Sequence, residues 1–597
     1  MSREHTSIIT LAIVLLMLAL APNIQKVQAS SSIYVRADGS VDPPTAPIHR
    51  NGNIYTLTDN IYDSIYDAVV VEKDDILING AGYTIQGTSI TGGRGISLSG
   101  RDNVTISNVQ IKNFFSGIYL YLSTDCCISE NDLKNNNCGL ELAASSNCTI
   151  LGNNITANEL AGLDLSGSFN NSVVGNIISD NDEIGIFFTG LYTVSFSSLS
   201  YGNRITSNEI ARNTYGVKLG SRCFNNSLVV NRIIGNDYGV WVANEIEESS
   251  IPNNIAMNNI TDNNYGLYLI NVFNHTIAQN NLTANTWGIW SSASFNINIT
   301  ENIITNDKIG VILSASKNTD LSRNIVNNNE IGVFLSSSSD IKIIENTIIG
   351  NSLGILSSGS SNNRITENNV ISNKVGIELE SSSDYEIFHN NFINNLNQVI
   401  FFDSTRNIIW DGGYPLGGNY WSDYHGWDSN GDGIGETEYD IFYYLSSTHY
   451  QDRYPFTNAR ISSHIMITIN LSHTSLKAGF NITISGTTIP SLPNANLTIQ
   501  YRINDGEWAT LQTIKTDSEG FCFYTWNLTQ TGSYEIRTIW PGTLDVFPVE
   551  SEIRMFNVEA AGQATSGNFQ PYLAAAIISV IALIIALVIT IKSKRKK

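Results

Sequence analysis

With 597 residues, the chain is too long for one ordinary hydrophobic core, so its length predicts several domains or one long repeat array. Charged residues make up only 15% of the sequence, while Asn, Ser, Gly and Ile are abundant, a balance that favours stacked strands and turns over amphipathic helices. The formal net charge of -21 excludes the basic surface that binding to nucleic-acid phosphates requires. We therefore expect a mostly β protein that has no nucleic-acid partner.

The N-terminal segment has the layout of a secretory signal peptide. Arg3 precedes an apolar stretch at residues 8–21, and small residues end the segment. We assign residues 1–29 to this signal, which predicts export from the cell. Residues 30–94 contain strand-like sequences such as "DILINGAGYTIQG" and are predicted to form an N-terminal cap and the first coils of a repeat array.

Residues 95–406 are built from repeats of about 22 residues. A glycine before an alternating apolar stretch recurs at Gly95, Gly117, Gly139, Gly162, Gly185, Gly216, Gly239, Gly266, Gly288, Gly310, Gly332, Gly354 and Gly376. Apolar residues one and three positions after the glycine indicate a strand, and two later apolar positions complete three short strands per repeat. Because such units bury their apolar faces only by stacking, the pattern predicts a parallel β-helix of roughly fifteen coils.

An asparagine stands fourteen residues after many of these glycines, for example at Asn302, Asn324 and Asn346. A side-chain amide offers donors and an acceptor, so asparagines of successive coils are predicted to bond one another and to support a turn.

Two of the six cysteines, Cys126 and Cys148, share one position in neighbouring repeats. We expect them to stack in adjacent coils. This arrangement is compatible with a disulfide and with two packed thiols, because strands in register do not by themselves provide disulfide geometry.

Two repeats are longer than the others, with 31 and 27 residues between their glycines. The extra residues fall in the same part of the coil, so both insertions are expected to project from one side of the array. The candidate binding residues in these insertions are Tyr192, Phe196, Tyr201, Glu245, Glu247 and Glu248. Aromatic rings beside carboxylates suit a sugar or a cation, whereas tolerated surface insertions are the simpler explanation.

Residues 407–457 are dense in aromatic residues and glycine and are predicted to cap the array. Within them, alternating oxygen-bearing side chains before Gly433 match the first half of a calcium-binding loop. The candidate calcium ligands are Asp428, Asn430, Asp432 and Glu436. The second half of the pattern fails, because Tyr439 replaces the bidentate Glu, and a Gly/Asp turn without a metal is the alternative.

The remaining residues are predicted to hold the array at a membrane. Short alternating strands in residues 458–560 indicate an immunoglobulin-like sandwich, although the cysteine pair of antibody domains is missing. After a linker at 561–571, residues 572–591 carry no charge and are long enough to cross a bilayer as a helix. The basic residues of the tail at 592–597 predict a cytoplasmic C-terminus and an extracellular ectodomain. Thirteen Asn-x-Ser/Thr sequons, among them Asn103, Asn147, Asn259, Asn298, Asn470 and Asn527, predict a glycoprotein.

Residues 33–456 resemble the NosD-like right-handed β-helix proteins, within the broad group of repeats shared by carbohydrate-binding proteins and sugar hydrolases. The resemblance rests on "DILINGAGYTIQG", on the "NNxxGIxL" coils, and on "GNYWSDYHGWDSNGDGIGETEYD" with "DRYPF", which is similar to the terminal motif of archaeal surface members. It implies a right-handed coil and an extracellular location. The family name also implies copper maturation of nitrous-oxide reductase. Copper is not expected here, because the sequence has no cluster of Met, His or Cys ligands.

Three functions follow from these features. The first is a non-catalytic surface protein that binds polysaccharide or a surface-layer component along its flank. The second is a polysaccharide lyase, hydrolase or epimerase on the same flank, but the repeat positions show no evident pair of carboxylates of the kind that a glycosidase needs. The third is a NosD-like copper maturation factor. We favour the first.

Overall fold

The computed structural model of the protein describes residues 32–559, with gaps at 194–195, 244–251, 403, 443–448, 461–465, 490–491, 493, 505, 518–519, 542–548 and 552. The chain forms two compact units, divided after residue 464. The predicted signal peptide, linker, membrane span and basic tail lie outside the described residues. Among the described residues, no helix has the length and apolarity that crossing a membrane requires.

The first unit is a parallel β-helix of about 15 coils, as the repeat predicted. Each coil contributes one short strand to each of three sheets, which we call sheets 1, 2 and 3. In sheet 1, the strand Ile331–Ser336 pairs in parallel with Ile309–Ser314 and with Leu353–Ser358, without any shift in register. The repeat glycines therefore form one column.

The strands of sheet 1 are Ile33–Val35, Val41–Asp42, Val69–Val71, Arg94–Ser99, Ser116–Tyr121, Cys138–Ala143, Ala161–Asp164, Ile184–Phe188, Tyr215–Leu219, Tyr238–Ala243, Tyr265–Ile270, Trp287–Ser292, Ile309–Ser314, Ile331–Ser336, Leu353–Ser358, Val375–Glu380 and Asn397–Phe402. Those of sheet 2 are Ile48–Asn51, Ile54–Leu57, Ile76–Asn79, Val104–Ser107, Cys127–Ser129, Thr149–Leu151, Ser172–Val174, Arg204–Thr206, Ser227–Val229, Asn254–Ala256, Thr276–Ala278, Asn298–Thr300, Asp320–Ser322, Lys342–Ile344, Ser361–Thr366, Ser383–Phe388 and Arg406–Ile409. Those of sheet 3 are Ile61–Ser64, Thr84–Gly87, Gln110–Lys112, Asp132–Lys134, Asn154–Thr156, Ile177–Ser179, Glu209–Ala211, Arg232–Ile234, Asn259–Thr261, Asn281–Thr283, Ile303–Thr305, Ile325–Asn327, Thr347–Ile349, Asn369–Ile371, Asn391–Ile393 and Tyr420–Trp421.

The column contains glycine because neighbouring coils approach too closely at this position for a side chain to fit. A Cβ atom at Gly332 would lie 2.6 Å from the carbonyl oxygen of Gly354 in the next coil. Any larger residue at this position would push two hydrogen-bonded coils apart. The neighbouring inward positions are apolar, and Val311, Val333 and Ile355 stack above one another without exposure to solvent. Each such side chain contributes roughly 1.5–3 kcal/mol through its removal from water.

The predicted asparagine stack extends through most of the coil array and forms what we call the first asparagine ladder. The amide nitrogen Nδ2 of Asn324 donates to Oδ1 of Asn346 at 3.0 Å and to the carbonyl oxygen of Ile299 at 2.8 Å. The members of this ladder are Asn131, Asn153, Asn176, Asn208, Asn231, Asn258, Asn280, Asn302, Asn324, Asn346, Asn368, Asn390 and Asn419. The prediction that these amides bond one another and support the backbone is confirmed.

A second ladder, which the sequence analysis did not identify, lies at the turn that precedes each repeat glycine. It makes the same amide-to-amide hydrogen bonds, for example from Nδ2 of Asn351 to Oδ1 of Asn373 at 3.0 Å. The members of this second asparagine ladder are Asn136, Asn158, Asn181, Asn213, Asn236, Asn263, Asn285, Asp307, Asn329, Asn351, Asn373 and Asn395. Asp307 is its one acidic member.

Cys126 and Cys148 occupy neighbouring coils, as predicted, and both are free, buried thiols. Their Sγ atoms each lie 3.3 Å from a backbone carbonyl oxygen, that of Thr124 and that of Ser146. Packed thiols rather than a disulfide are therefore present.

Both ends of the coil array are closed. At the front, the strand Ile48–Asn51 turns back antiparallel to Ile54–Leu57, which begins the parallel ladder of sheet 2. At the rear, Trp410 and Trp421 are buried, and the indole Nε1 of Trp421 donates to the carboxylate of Asp452 at 2.9 Å. A hairpin of Tyr439–Phe442 and His449–Asp452 follows the last coil strands.

The second unit consists of two sheets. One contains the strands Met466–Leu471, Asn481–Ile489 and Phe521–Asn527; the other contains Ser475–Lys477, Asn496–Ile503, Ala509–Lys515, Gly532–Trp540, Val549–Glu550 and Arg554–Glu559. Buried residues of both sheets, such as Ile484 and Ile536, belong to one apolar cluster, so the two sheets share a core.

Candidate functional site

The outer surface of sheet 1 carries the candidate site. In strand Ile331–Ser336, the first and fourth residues are half-buried and point outward, whereas Val333 and Leu335 are buried. Because the strands pair in register, the first residues of successive strands form one column on the outside and the fourth residues form a second. Packing inside the coil therefore does not determine which residue types occupy these two columns.

Over five consecutive coils these columns are mostly aromatic. The first column contains Tyr215, Tyr238, Tyr265 and Trp287, and the second contains Phe187, Lys218, Trp241, Tyr268 and Trp290. We call these nine residues the aromatic face. All nine side chains are half-buried.

The rings of the first column are stacked along the coil axis. The centroids of Tyr215 and Tyr238 are 5.0 Å apart, those of Tyr238 and Tyr265 are 4.6 Å apart, and the ring planes of the second pair differ by only 5°. Tyr265 in turn stacks on Trp287 at 4.4 Å. Burial within this stack raises the pKa of the Tyr238 and Tyr265 phenols. The rings hold one another rigidly and turn their edges to solvent.

The rings of the second column stand nearly perpendicular to those of the first. The planes of Tyr215 and Trp241 differ by 69°, those of Tyr265 and Tyr268 by 68°, and those of Trp287 and Trp290 by 65°. Because the first-column rings lie across the coil axis, the second-column planes extend along it. Such edge-to-face pairs fix ring orientation. Within the second column, the planes of Tyr268 and Trp290 also differ by 75°, so its rings are held in fixed orientations along the axis but do not form one flat surface.

Two carboxyl groups lie at the N-terminal end of the second column. Glu141 and Asp164 are paired positions in adjacent strands, and Asp164 precedes Phe187 in the same column. Glu141 accepts a hydrogen bond from the Ser116 hydroxyl, and Asp164 accepts one from the backbone N–H of Ser166 at 2.9 Å. Burial raises the pKa of Asp164 to about 6. One carboxyl of the pair is therefore easier to protonate than an exposed aspartate.

The outer surface of sheet 1 also carries a cleft of about 720 Å³ near its first coils. Its walls include Tyr34, Tyr66 and Phe115 together with Asp67 and Arg94. The guanidinium of Arg94 lies 3.9 Å above the ring of Tyr119. This cleft, the two carboxyls and the aromatic face follow one another along the same surface.

The first predicted insertion follows a strand of the aromatic face, and the second begins after another. The first forms an antiparallel hairpin of Leu191–Thr193 and Phe196–Ser198 directly after the strand that contains Phe187, and Tyr192 and Phe196 lie on its two strands. The second begins after Ala243, at the end of the strand that contains Trp241, and Glu245, Glu247 and Glu248 lie outside the described residues.

Tyr201 does not lie on this hairpin. It stacks between Phe169 and Phe224, at centroid distances of 5.1 and 5.5 Å, along the corner between sheets 1 and 2. The expected grouping of aromatic rings and carboxylates in the loops stays a prediction.

The four predicted calcium ligands lie on one exposed loop. The carboxylate of Asp428 accepts hydrogen bonds from the backbone N–H groups of Gly431, Asp432 and Gly433, at 2.6, 3.2 and 2.7 Å. A hydrogen bond from the backbone N–H of Ile434 lowers the pKa of Asp432. Glu436 accepts hydrogen bonds from Ser429 across the loop. The side chains therefore fold the loop tightly around its own amides.

The aromatic face was not predicted, although it has a signal in the sequence directly before the repeat glycines. In four successive repeats the glycine follows an aromatic residue, in the pairs "YG", "YG", "YG" and "WG" that begin at Tyr215, Tyr238, Tyr265 and Trp287. The strand prediction depends only on the apolar positions after the glycine, and the residue before the glycine points outward and adds nothing to that pattern.

Two family models match the β-helix. The family described as "Periplasmic copper-binding protein (NosD)" matches residues 189–309 and 291–426, and the family described as "Right handed beta helix region" matches residues 74–199. This chain is a NosD-like right-handed β-helix protein. Among the residues that the structure describes, no three His, Cys, Asp or Glu side chains converge as metal ligands.

No curated protein matches the NosD-like chain. Similar solved structures include DFA-IIIase from Arthrobacter chlorophenolicus A6, with 12% identity over 46% of this chain and 66% of the enzyme chain and a TM-score of 0.27. A periplasmic alginate epimerase has 13% identity over 63% and 82% of the two chains with a TM-score of 0.22. The Dettilon tailspike protein has 12% identity over 78% and 86% with a TM-score of 0.25. At these identities and TM-scores the likeness carries no information about function.

Proposed function

We propose that this protein is a cell-surface β-helix protein that binds a polysaccharide along the aromatic face without cleaving it. The observation that supports the proposal is the pair of aromatic columns, which extends over five coils in one direction. Sugar rings present apolar C–H surfaces that pack on aromatic rings, and a linear chain of sugars matches a linear track of rings. The half-buried, mutually packed rings need little reordering on binding, which favours affinity.

The proposed location rests on the sequence. We propose that residues 1–29 direct export, that residues 572–591 span the membrane, and that the second unit is an immunoglobulin-like spacer between the membrane and the β-helix. An epitope tag placed after Lys597 is expected to be reached by antibody only after the cells are permeabilised, whereas antibody against the β-helix binds intact cells. Labelling of the C-terminal tag on intact cells would contradict this topology.

Glycan-array binding of the purified protein tests the proposed binding function. Replacement of second-column rings, Trp241→Ala or Tyr268→Ala, is expected to weaken binding about fivefold to tenfold, because each removes a stacking surface worth on the order of 1–1.5 kcal/mol. Trp427→Ala is the matched control, since Trp427 is 70% exposed and lies in the C-terminal cap. Equal binding by all three variants would contradict a role of the aromatic face.

A second candidate function is hydrolysis of the bound glycan, and the pair of Glu141 and Asp164 favours it. Retaining glycosidases place two carboxyl groups about 5–5.5 Å apart, one protonated and one ionised. The backbones of these paired positions are about 4.8 Å apart, which places both side chains at neighbouring points of the same surface, and the raised pKa of Asp164 suits a proton donor.

Product release from each bound glycan separates the two functions. Under the hydrolase function, new reducing ends appear and are lost in both Asp164→Asn and Glu141→Gln. Under the binding function, no product forms and both variants bind as the wild type does. The outcome decides between the two, because the variants leave the aromatic rings in place.

A further inference from the structure

Lys218 is the one charged residue in a long stretch of sheet 1. The eight successive strands from Ile184–Phe188 to Leu353–Ser358 contain aromatic, aliphatic and small residues and this single lysine. It stands in the second column, between Phe187 and Trp241 in register. Lys218 is thus a cation among the uncharged residues of these strands, in a protein whose net charge is -21, and Asp237 borders the face directly before Tyr238.

Aromatic rings hold the ammonium group of Lys218 in place. Its Nζ atom lies 4.4 Å from the ring centroid of Tyr215, 5.1 Å from that of Trp241 and 5.8 Å from that of Phe187. A cation over the face of such a ring is attracted by about 0.5–1 kcal/mol at an exposed site. Three rings around one ammonium group restrict the side chain far more than solvent would.

Among the described residues no carboxylate pairs with Lys218, as is also true of Lys112 and Lys374, whereas three other lysines of the β-helix have an acidic partner. Lys134 pairs with Asp132 at 2.6 Å and Lys342 with Asp320 at 3.2 Å. On the surface of sheet 1, the nearest carboxyl of the same column is Asp164, two strands away, which corresponds to about 10 Å at the usual strand spacing. No described carboxylate of this column therefore competes with a ligand for the ammonium group of Lys218.

An ammonium group fixed beside aromatic rings has a defined chemical preference. It offers a compact point charge to an anion, while the rings offer apolar surface to the carbon skeleton that carries the anion. The partial exclusion of water by three rings strengthens the ion pair relative to one in bulk solvent. A neutral sugar would use the rings and leave the charge without a partner.

We propose that Lys218 pairs with a carboxylate or sulfate group of an acidic polysaccharide that lies on the aromatic face. The inference rests on the proposed binding function and names its substrate class. Lys218 selects among glycans, whereas the rings supply most of the contact area. No covalent step is involved.

Three oligosaccharide probes of equal length test the assignment with the full-length protein. They are a β-1,4-linked oligoglucuronate, its neutral methyl ester, and a sulfated neutral oligosaccharide. The wild type is expected to bind an anionic probe about tenfold more tightly than the ester, with a preference that weakens as salt concentration rises. The ratio between oligoglucuronate and sulfated probe identifies the anionic group.

Lys218→Met retains the length of the side chain and removes its charge. It is expected to bind the acid and the ester equally, while Lys342→Met, on sheet 2, retains the wild-type preference. Lys218→Gln serves as a second variant, and unchanged melting temperatures show that both variants are folded. A preference for the anionic probe that persists in Lys218→Met and Lys218→Gln would overturn the inference.

Different experimental outcomes would contradict this inference and the proposed binding function. If the wild type binds the ester as well as the acid, and Trp241→Ala loses both, the aromatic face binds glycans but Lys218 does not select them. If Trp241→Ala binds every probe as the wild type does, the binding function itself is wrong, and the inference about Lys218 is wrong with it.

Discussion

Asp307 takes the place of an asparagine in the second asparagine ladder, and its Oδ1 accepts hydrogen bonds from the backbone N–H and from Nδ2 of Asn285, at 2.6 and 3.2 Å. In the neighbouring coils the other side-chain atom is an amide nitrogen that donates, as Nδ2 of Asn351 does to the carbonyl oxygen of Val326 at 3.1 Å. Asp307 places an oxygen, Oδ2, at this point, where it is buried without a hydrogen-bond partner. Burial raises the pKa of Asp307 to about 7, although the hydrogen bonds from Asn285 oppose the rise.

This raised pKa predicts that Asp307 destabilises the coil as pH increases. The folded state binds the proton more tightly than the unfolded chain, in which the pKa of an aspartate is about 4. The stabilisation is complete below about pH 4, decreases as pH rises towards 7 and is absent above it. A shift of about three pKa units corresponds to roughly 4 kcal/mol in the free energy of unfolding.

Asp307→Asn restores the amide donor and tests this prediction. At pH 8 we expect the variant to be more stable than the wild type, and the difference should decrease at pH 5, as measured by urea denaturation at both values. Asp262→Asn, which changes an exposed aspartate, is the matched control. A stability difference that is the same at pH 5 and pH 8 would contradict the assignment.

The first asparagine ladder predicts a large cost for the loss of one amide inside the coil. Asn324→Ala removes the acceptor of the backbone N–H of Asn302 and the donor to the carbonyl of Ile299. Because these backbone groups are buried, each costs about 1–3 kcal/mol when it is left without a partner. We expect a loss of roughly 2–5 kcal/mol in denaturant unfolding, whereas Asn327→Ala, at an outward position of sheet 3, should change the stability by less than about 1 kcal/mol.

The glycine column predicts that even alanine is too large. Gly332→Ala would bring a methyl group against the carbonyl oxygen of Gly354 and force two coils apart. We expect a loss of about 1–3 kcal/mol, the usual cost of overpacking, measured as a lower midpoint of urea unfolding. Ser336→Ala, in the same strand, should leave the midpoint nearly unchanged. A Gly332→Ala protein with wild-type stability would show that the contact can relax.

The loop that contains Asp428 predicts a response to calcium. Its alternating oxygens and the turn at Gly433 suit a hard cation of flexible coordination. We expect millimolar Ca²⁺ to raise the melting temperature of the protein, Mg²⁺ to raise it less, and Asp432→Ala to abolish the effect. Identical melting curves with calcium and with a chelator would show that the loop is a turn without a metal.

Most of the fold could be predicted from the sequence because the inside of the coil repeats the same physical requirement. Gly310 and Gly332 must leave room for the next coil, and Asn302 and Asn324 must bond each other, so the same letters recur at one spacing. The second ladder has the same origin, and only Asp307 breaks its pattern.

The candidate site could not be predicted in this way, because outward positions are free of the packing requirement. One column contains Cys138, Tyr265 and Ile309 at equivalent positions, and nothing inside the coil depends on the choice. The proximity of Glu141 and Asp164 also required the register of adjacent strands, since they are 23 residues apart in the chain. The insertions were conspicuous in the repeat spacing, whereas the aromatic rings beside them changed no spacing at all.

The glycine contact between Gly332 and Gly354 also sets a unit of length for whatever lies on the outside. Each outward side chain is separated from the next one in its column by the distance between two hydrogen-bonded strands, whatever the chemistry of the side chain. The outward side chains therefore stand at a uniform spacing along the coil axis, and the groups of a bound polymer meet them at fixed intervals. Duplication of a single 22-residue coil would lengthen the array by one such interval and leave the spacing of all other outward side chains unchanged.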